Sequence, residues 1–376
     1  MSRILVLGGG LVGRVIARDL ARDSDLRVTV ADGSEGTRAR LAKEGLGTVA
    51  LDLTDDAAVR QAVGGADVVV GAAPGHMGFR LLRLVIEAGK PYADIAFMPE
   101  DFLELDGLAR ERGVTAVVDC GVAPGLSNLL CGRAEHEFDS VERMLVLVGG
   151  LPKHRVWPFE YRVVFSAVDV IEEYTRPARW VEHGRLVTKP ALSDLELVDL
   201  PRVGTVEAFN TDGLRSLAQT LHASFMKEKT LRWPGHVEKM RMLRETGFLS
   251  LEPIAVAGTR VRPYDVTTKL LFDAWRLPEG ESDLTVMRVE ATGILGGAPT
   301  TATWDLYDEA DPATGYHSMA RTTGFPCAIA ARMLARGELR RPGVQPPERL
   351  AGDDRFFEAM MEGLRARGVT ISRTVG

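Results

Sequence analysis

Three glycines and an aspartate near the amino terminus have the spacing of a phosphate-binding turn followed by a ribose-binding acid. Gly8, Gly10 and Gly13 form a G-x-G-x-x-G pattern, and Asp32 ends the next apolar segment. In such a pattern the first glycine allows a tight turn, and the second lets the backbone approach a pyrophosphate. The third lets a helix pack closely on its strand, so that the helix N-terminus faces the phosphates. These residues predict a dinucleotide site.

The elements that would position these residues alternate between strand and helix. A strand at residues 4–7 leads into the glycine turn, a helix at 11–20 follows, and a strand at 28–31 ends at the aspartate. Leu11 and Val12 begin the helix, so we expect them to contact the cofactor as well. This order of elements is the context that a dinucleotide site requires.

The same alternation continues over the first third of the chain. The run Val68, Val69 and Val70 is apolar throughout, which is typical of parallel strands buried on both faces. Because crossovers between parallel strands are right-handed, we predict an α/β Rossmann fold with a doubly wound parallel sheet. Further strands are predicted at 48–52, 68–71, 92–95 and 116–119, and further helices at 36–43, 55–63, 78–88 and 100–110.

Asp32 also indicates which dinucleotide would bind. A carboxylate at the end of the second strand accepts hydrogen bonds from a ribose hydroxyl pair and repels a 2′-phosphate. NAD is therefore expected in preference to NADP. Arg38 and Arg40 would soften this preference if they reached a phosphate, although their positions fit solvated residues of the next helix better.

Ligands of a doubly wound sheet bind beyond the carboxyl ends of its strands, and several further residues occupy those ends. Asp52 would contact the adenine or, equally well, cap the helix that follows it. Ala72, Ala73 and Pro74 are small enough to let the nicotinamide ribose approach closely. Cys120 is expected to line the nicotinamide pocket and not to act as a nucleophile.

The pattern changes after residue 124, where strand-like runs with intervening helices replace the regular alternation. We predict a Rossmann domain at 1–124, an inserted α+β substrate and oligomerisation domain with a mixed or antiparallel sheet at 125–324, and a C-terminal return onto the Rossmann domain at 325–376. Strands are predicted at 141–149, 161–165, 185–188, 205–209 and 223–231, with a hairpin of 284–292 and 300–307 joined through 293–299. Helices are predicted at 236–244, 266–275 and 327–335.

Composition excludes several classes of function. The chain has 376 residues and a net charge of −6, so no large cationic surface for nucleic acid or anionic membranes is expected. It has no apolar run of about 18 residues, and its amino terminus enters a strand directly instead of resembling a signal peptide. The 3 cysteines are widely spaced, which fits neither a disulfide framework nor a zinc pattern, and no metal is expected. A cytoplasmic location is the expectation.

Four motifs together resemble one known family. After the glycine loop come residues 119–125 (DCGVAPG), 230–236 (TLRWPGH) and 321–326 (RTTGFP). In this order the chain resembles the saccharopine dehydrogenase-like oxidoreductases over nearly its full length, and within them is most similar to lysine 6-dehydrogenases. The resemblance implies a Rossmann domain, an inserted substrate domain with an open mixed sheet, and NAD(P)-dependent chemistry at a carbon–nitrogen bond.

One position within these motifs narrows the implied reaction. Ala123 precedes the Pro-Gly pair where reductases of the family often carry an acid, and this variant resembles lysine 6-dehydrogenases. The resemblance then implies oxidative deamination of the terminal amine of L-lysine or a close relative, giving ammonia and a semialdehyde that cyclises. A homodimer or larger homo-oligomer is expected.

Two alternatives to oxidative deamination stay open. A saccharopine- or carboxynorspermidine-type reductase would need a larger pocket and a second carboxylate anchor, which Arg155, Arg162 or Arg179 would furnish. The chain is also compatible with a protein that binds NAD without catalysis.

Amine oxidation requires a proton acceptor, because the amine must be neutral when hydride leaves. His236 opens a predicted helix and titrates near neutral pH, although a packing or capping role fits equally well. Lys229 is a candidate base, although exposed strand lysines are commoner. Asp94 ends the fifth predicted strand and would hold the substrate ammonium or the nicotinamide carboxamide.

The substrate must also be held in one orientation. Arg232 is the first candidate for the carboxylate anchor, because a guanidinium offers planar paired contacts; the alternative is that it anchors the following turn. Tyr161, Glu207 and Asn210 are further candidates for substrate contacts, and Asp212 is better explained as ordinary turn chemistry.

Overall fold

The computed structural model describes residues 1–278 and 280–376, and its first third alternates between strands and helices. The strands are β1 (Ser2–Leu7), β2 (Leu26–Asp32), β3 (Gly47–Ala50), β4 (Val68–Gly71), β5 (Tyr92–Asp94) and β6 (Thr115–Val117). The helices are α1 (Leu11–Leu20), α2 (Glu35–Lys43), α3 (Asp56–Gly64), α4 (Gly75–Glu87) and α5 (Asp106–Glu111), with a 3₁₀ turn at Phe102–Leu105.

The middle of the chain is richer in strands. Its elements are α6 (Leu126–Glu137), β7 (Ser140–Pro152), α7 (Ala167–Thr175), β8 (Ala178–Glu182), β9 (Arg185–Lys189), β10 (Glu196–Leu200), β11 (Gly204–Asn210), α8 (Leu217–Thr220), β12 (Phe225–Arg232), α9 (His236–Glu245), β13 (Ile254–Val256), β14 (Thr259–Val261), α10 (Pro263–Trp275), β15 (Asp283–Leu295) and β16 (Ala298–Glu309). The last segment contains α11 (Ser318–Ala335), β17 (Gly343–Gln345), α12 (Pro347–Leu350), α13 (Asp354–Arg365) and β18 (Ile371–Val375).

The first sheet is parallel, with the strand order β17-β6-β5-β4-β1-β2-β3. All four residues of β4 are buried, as expected for an apolar strand covered by helices on both faces. Helix α1 buries Val15, Ile16 and Leu20 on one face and packs against α11. The predicted doubly wound Rossmann sheet is confirmed.

The second sheet is mixed, with the order β10-β11-β12-β7-β15-β16-β18 and with β8 and β9 beside β12. Strands β12 and β7 run parallel, whereas β11–β12, β7–β15 and β15–β16 are antiparallel. The predicted second domain with a mixed sheet is therefore confirmed as well. The chain after α11 contributes β17 to the first sheet and β18 to the second.

Four of the differences between predicted elements and the structure have a clear local cause. The predicted hairpin forms, but its strands continue to Leu295 and Ala298, because Gly296 and Gly297 adopt the positive φ angles of a two-residue turn. The predicted helix at 100–110 splits into the 3₁₀ turn and α5, since the Asp101 carboxylate accepts from the Leu103 N–H and starts a separate turn. The predicted helix at 327–335 begins earlier, at Ser318. Its first half was missed because it contains Pro326 and because its polar residues, such as Thr322, are buried, so that no amphipathic pattern marks it.

The predicted strand at 161–165 is wrong. Tyr161 packs edge-on against Trp275, with ring centroids 5.5 Å apart, in a cluster of aromatic and aliphatic side chains. Its β-forming composition is overridden by this packing, and Val163 forms only an isolated bridge with Arg276. In the part of the chain that the structure describes, no helix has both the length and the apolar composition needed to cross a membrane.

Candidate active site

A cavity of about 810 Å³ lies at the carboxyl ends of the first-sheet strands and extends to the second sheet. Its dinucleotide end is lined by Gly8, Gly10, Leu11, Val12, Gly13, Asp32, Asp52, Ala72, Ala73 and Pro74. Its second-sheet end is lined by Asp169, Glu173, Thr211, Glu228, Thr230 and Arg232. The structure thus brings together every predicted cofactor residue except Cys120.

The glycine loop leaves room for a ligand where the sequence predicts one. Gly8 has φ +104°, and a Cβ there would lie 2.5 Å from the Ala72 carbonyl oxygen. A Cβ on Gly13 would lie 2.1 Å from the Gly8 oxygen, so both positions require glycine. A Cβ on Gly10 would instead point into open space at the N-terminus of α1. This loop fits a pyrophosphate approaching the helix N-terminus.

Asp32 supports the turn beside this loop. Its carboxylate accepts hydrogen bonds from the Gly9 and Ser34 backbone N–H groups, both at 2.8 Å. Arg38 donates to the carbonyl oxygens of Asp32 and Gly33, also at 2.8 Å. The carboxylate therefore faces the cavity in a fixed orientation, as a ribose-binding acid requires.

Asp52 does not cap the helix that follows it, which was one of the two roles considered from the sequence. Its carboxylate accepts from the N–H and hydroxyl of Thr54, which lowers its pKa. Helix α3 is capped instead by Asp55, whose carboxylate accepts from the N–H groups of Ala57 and Ala58. Asp52 is thus exposed at the dinucleotide end, where an adenosine would lie.

Cys120 was predicted to line the nicotinamide pocket, but it does not line the cavity. It is fully buried behind the cavity wall, which is formed here by Gly121 and Val122. Burial raises the pKa of its thiol. The residue shapes the wall from behind, since its N–H donates to the Asp94 carbonyl at 2.8 Å.

The residues of β12 alternate between the cavity and the opposite face of the sheet. Glu228, Thr230 and Arg232 line the cavity. Lys229 lies on the other face, because successive side chains of a strand point to opposite sides. Its ammonium group donates to Glu196 at 2.6 Å and to the Asp194 carbonyl at 2.7 Å. The prediction of Lys229 as a catalytic base is therefore wrong.

Arg232 lines the cavity, but its guanidinium is already extensively hydrogen-bonded. It donates to Glu173 at 2.8 Å, to the Tyr174 hydroxyl at 3.2 Å and to the Leu231 carbonyl at 3.0 Å. It also stacks over the Tyr161 ring, 4.8 Å from the ring centroid. A substrate carboxylate would meet a guanidinium whose charge is shared with Glu173.

His236 is buried behind Arg232 and is not placed to accept a proton from a ligand in the cavity. Its Nδ1 lies 2.7 Å from the Phe159 carbonyl and its Nε2 lies 2.8 Å from the Tyr174 hydroxyl. Because a carbonyl only accepts, Nδ1 carries the proton and Nε2 accepts from Tyr174. Burial and then Arg232 lower the pKa of His236 to about 3. Its role is to hold Tyr174, and through it Arg232.

The other predicted substrate contacts do not line the cavity; their side chains support the residues around it. Glu207 accepts from the N–H groups of Gly235 and Val237 and so caps α9, while Asn210 donates to Ser193 and Asp194. Tyr161 is buried beneath the Arg232 guanidinium.

Asp94 is also buried, and its carboxylate accepts from the Ala96 N–H at 2.8 Å. Burial raises the pKa of Asp94 to about 7. The neighbouring residues Ile95 and Ala96 provide the cavity surface at this strand end. None of the four predicted residues Glu207, Asn210, Tyr161 and Asp94 lines the cavity, so the structure does not place them in contact with a substrate.

Three carboxylic side chains that the sequence reasoning missed line the second-sheet end of the cavity. Asp169 and Glu173 come from α7, which was not predicted, and Glu228 lies between two lysines on β12. The polar residues Glu228, Thr230 and Arg232 alternate along β12, and this pattern could have indicated that they share one face of the strand. Burial raises the pKa of Glu173 to about 7, that of Glu228 to about 8, and that of Asp169 less strongly.

The fold and this cavity define a dinucleotide-binding oxidoreductase. The model described as "Saccharopine dehydrogenase NADP binding domain" matches residues 4–117, and "Saccharopine dehydrogenase C-terminal domain" matches residues 121–369. The chain belongs to the saccharopine dehydrogenase family, whose members act on carbon–nitrogen bonds. The description of the first model names NADP, which leans against the NAD preference expected from Asp32.

Known relatives resemble the chain over most of its length. It is 25% identical to the carboxynorspermidine synthase of Vibrio cholerae, over 95% of this chain and 94% of the relative. It is 23% identical to a saccharopine dehydrogenase [NADP(+), L-glutamate-forming] of Schizosaccharomyces pombe, over 100% and 99%. The solved structure of a saccharopine dehydrogenase (L-Glu forming) from Saccharomyces cerevisiae is 21% identical, covers 100% of both chains and has a TM-score of 0.82.

Proposed function

We propose that this protein is an NAD-dependent dehydrogenase that oxidatively deaminates the terminal amine of L-lysine or a close relative. The observation that carries the proposal is the group of carboxyl side chains at the second-sheet end of the cavity. Three carboxylic side chains, Asp169, Glu173 and Glu228, line it with Arg232. An environment rich in carboxylates favours a cationic ligand, because an opposite charge nearby stabilises the charged form of an amine.

The arginine supply argues against a substrate with several carboxylates. Arg232 lines the cavity and is already paired with Glu173 at 2.8 Å. The arginines considered as a second anchor are engaged elsewhere: Arg155 with Glu160 and the Pro234 carbonyl, Arg162 with the Ala274 carbonyl, and Arg179 with Asp212. A ligand with one carboxylate and one or more amines suits this site better than saccharopine does.

The chain's own residues would position such a substrate between the two ends of the cavity. Arg232 would bind the α-carboxylate, and the carboxyl groups at this end would surround the cationic amine. The bound nicotinamide supplies the hydride acceptor, and the small residues Ala72, Ala73 and Pro74 leave room for its ribose. Apolar wall residues such as Val122, Phe165 and Met319 would limit water around the reacting carbon.

The choice of NAD over NADP rests on Asp32. Its carboxylate lines the cavity, and a 2′-phosphate placed there would be repelled by its charge. Of the two arginines considered for a phosphate contact, Arg38 uses one nitrogen to donate to two backbone carbonyls of the same turn, and Arg40 donates to the Gly9 carbonyl at 3.4 Å.

The test is to mix purified protein with NAD and L-lysine in the absence of any oxo acid, and to follow NADH and ammonia together. Equal amounts of both products support oxidative deamination. NADH formation with L-ornithine or a diamine but not with L-lysine would move the assignment to a relative of lysine. No NADH with any of these amines would contradict the proposal.

A second candidate is a reductase or dehydrogenase of a carboxylated polyamine, in the manner of the carboxynorspermidine-type enzymes. The same acidic lining favours it, since such a substrate carries several amines and one carboxylate. It predicts NAD(P)H consumption only when a polyamine and an aldehyde are supplied together, so the two candidates are separated by whether an aldehyde is needed.

A further inference from the structure

Glu228 is a buried carboxyl group that faces the cavity and is held by hydroxyl groups. Its Oε2 accepts from the Thr211 hydroxyl at 2.7 Å, and that hydroxyl lies 2.7 Å from the Thr230 hydroxyl. All three side chains line the cavity. Glu173, by comparison, is ion-paired with Arg232 at 2.8 Å. Glu228 is therefore oriented by a hydrogen bond without being neutralised by Arg232.

The segment that contacts Glu228 is also joined to the loop after β6, which lines the same cavity. A Cβ on Gly213 would lie 2.3 Å from the Glu228 carboxyl, so Gly213 and Glu228 are in contact. Two residues further along the chain, Arg215 is hydrogen-bonded to Asp119 at the start of the loop that contains Gly121. Gly121 lines the cavity where that loop follows β6.

The spacing along β12 suits a short amino acid. Glu228 and Arg232 lie on the same strand face, four residues apart, which corresponds to roughly 13 Å between their Cα atoms at the rise of an extended strand. Both side chains extend into the cavity and shorten the gap between their charged groups. A lysine bound by its carboxylate at Arg232 would direct its terminal amine along the strand towards Glu228.

We propose that Glu228 accepts the proton that the substrate's terminal ammonium group loses before hydride transfer. This assignment rests on the proposed function. An N–H bond of the ammonium group breaks and an O–H bond forms on the carboxylate, which leaves a lone pair on nitrogen. That pair forms the carbon–nitrogen double bond as the carbon loses hydride, two electrons and one proton, to the nicotinamide ring. Water then hydrolyses the iminium product to the aldehyde and ammonia.

The surroundings of Glu228 agree with a group that changes protonation during the reaction. Burial, together with the nearby Glu173 on α7 and Asp212, raises the pKa of Glu228 to about 8 against the opposing hydrogen bonds from Thr211 and the Gly213 backbone. Arg232 on β12 faces the same end of the cavity but is paired with Glu173, and Asp212 is paired with Arg179. A cationic substrate would stabilise the charged carboxylate and displace its proton.

The experiment measures protons released on binding. L-Lysine is titrated into the protein with NADH present, so that no net oxidation occurs, by calorimetry in two buffers of different ionisation enthalpy at about pH 7. We expect wild type to release close to one proton more per bound lysine than Glu228→Gln. Glu196→Gln, which alters a carboxylate paired with Lys229 outside the cavity, is the matched control and should behave as wild type.

Wild type alone provides a second measurement that requires no variant to fold. Its proton release should fall as pH rises through about 8, because Glu228 is then already charged before the substrate binds. A release that does not change across this range overturns the assignment, as does a Glu228→Gln protein that releases as many protons as wild type. A wild type that neither binds nor oxidises L-lysine overturns the proposed substrate, and this assignment with it.

Discussion

Arg215 and Asp119 form a buried ion pair that joins the second domain to the loop following β6. The guanidinium donates to both carboxylate oxygens, at 2.9 and 3.0 Å, and the side chains are 4% and 0% exposed. Removing one partner leaves a buried charge, so we expect Arg215→Ala to lower the free energy of unfolding by about 3–5 kcal/mol. Urea unfolding followed by circular dichroism would measure this.

An exposed ion pair of the same geometry, Arg3 with Asp67, provides the control for the buried pair. Arg3 and Asp67 also form paired hydrogen bonds, but their side chains are 56% and 43% exposed. Arg3→Ala should therefore cost no more than about 1 kcal/mol. Equal losses for the two alanine variants would contradict a special contribution from the buried pair.

Gly213→Ala should impair catalysis with little loss of stability. The new Cβ would lie 2.3 Å from Cδ and Oε2 of Glu228, the far end of a flexible side chain that has to move. We expect kcat to fall by about 10–100-fold, because misplacing a reacting group by about 1 Å has effects of this size. Gly107→Ala, whose Cβ would meet no atom within 4 Å, is the control and should leave kcat unchanged. A fully active Gly213→Ala enzyme would argue against the role of Glu228.

His236 should make the protein less stable in acid. Its folded pKa of about 3 lies below the unfolded value, so the unfolded state binds the extra proton between roughly pH 6.5 and pH 3. Stability is then fully present above about pH 6.5 and declines as pH falls, by at most about 1.4 kcal/mol per pH unit from this group.

His236→Gln provides the comparison for that effect. Denaturant unfolding at about pH 6 and pH 5 should show a smaller loss for the variant than for wild type, because glutamine binds no proton. Glutamine is close to histidine in length and can still make hydrogen bonds, so it is the least disruptive neutral replacement. An identical pH dependence in the two proteins would show that the pKa of His236 is the same in the folded and unfolded states, against its burial and its contacts with Tyr174 and Phe159.

Asp32→Asn should shift the cofactor preference. The amide removes the negative charge that would repel a 2′-phosphate but can still accept a hydrogen bond through its carbonyl oxygen. We expect the ratio of kcat/KM for NAD to that for NADP to fall by about 10-fold, as about 1.4 kcal/mol of differential binding would give. The measurement is initial rates with both cofactors. Wild type that already prefers NADP would overturn the NAD assignment before any variant is made.

The sequence predicted best what local patterns encode. Helix α1 and strand β4 were predicted at their observed bounds, because an amphipathic helix after a glycine turn and an apolar run carry their own signals. Strand β18 was missed because four of its five residues are exposed at a sheet edge and show no alternation. The prediction of a strand at 161–165 failed because Tyr161 packs against Trp275, which is remote in the chain.

The dinucleotide end of the site was predictable except for Cys120, whereas at the second-sheet end only Arg232 was predicted among the lining residues. The dinucleotide end is built from consecutive residues that follow strands, so spacing alone identifies it. The second-sheet end combines α7 with β12, and the partner of each polar group comes from a distant segment. His236 illustrates this, since its contacts with Tyr174 and Phe159 turn a candidate base into a neutral support. A histidine's chemistry depends on such partners, which local sequence does not reveal.

The position of β17 in the chain has a consequence for the order in which the protein folds. This strand pairs with β6, yet residues 343–345 follow every strand of the second sheet except β18 in the chain. During synthesis the ribosome releases β6 long before its outer neighbour exists, which leaves an unpaired parallel edge on the nascent Rossmann sheet. The first sheet therefore gains its last strand only after β7 to β16 of the second sheet have emerged.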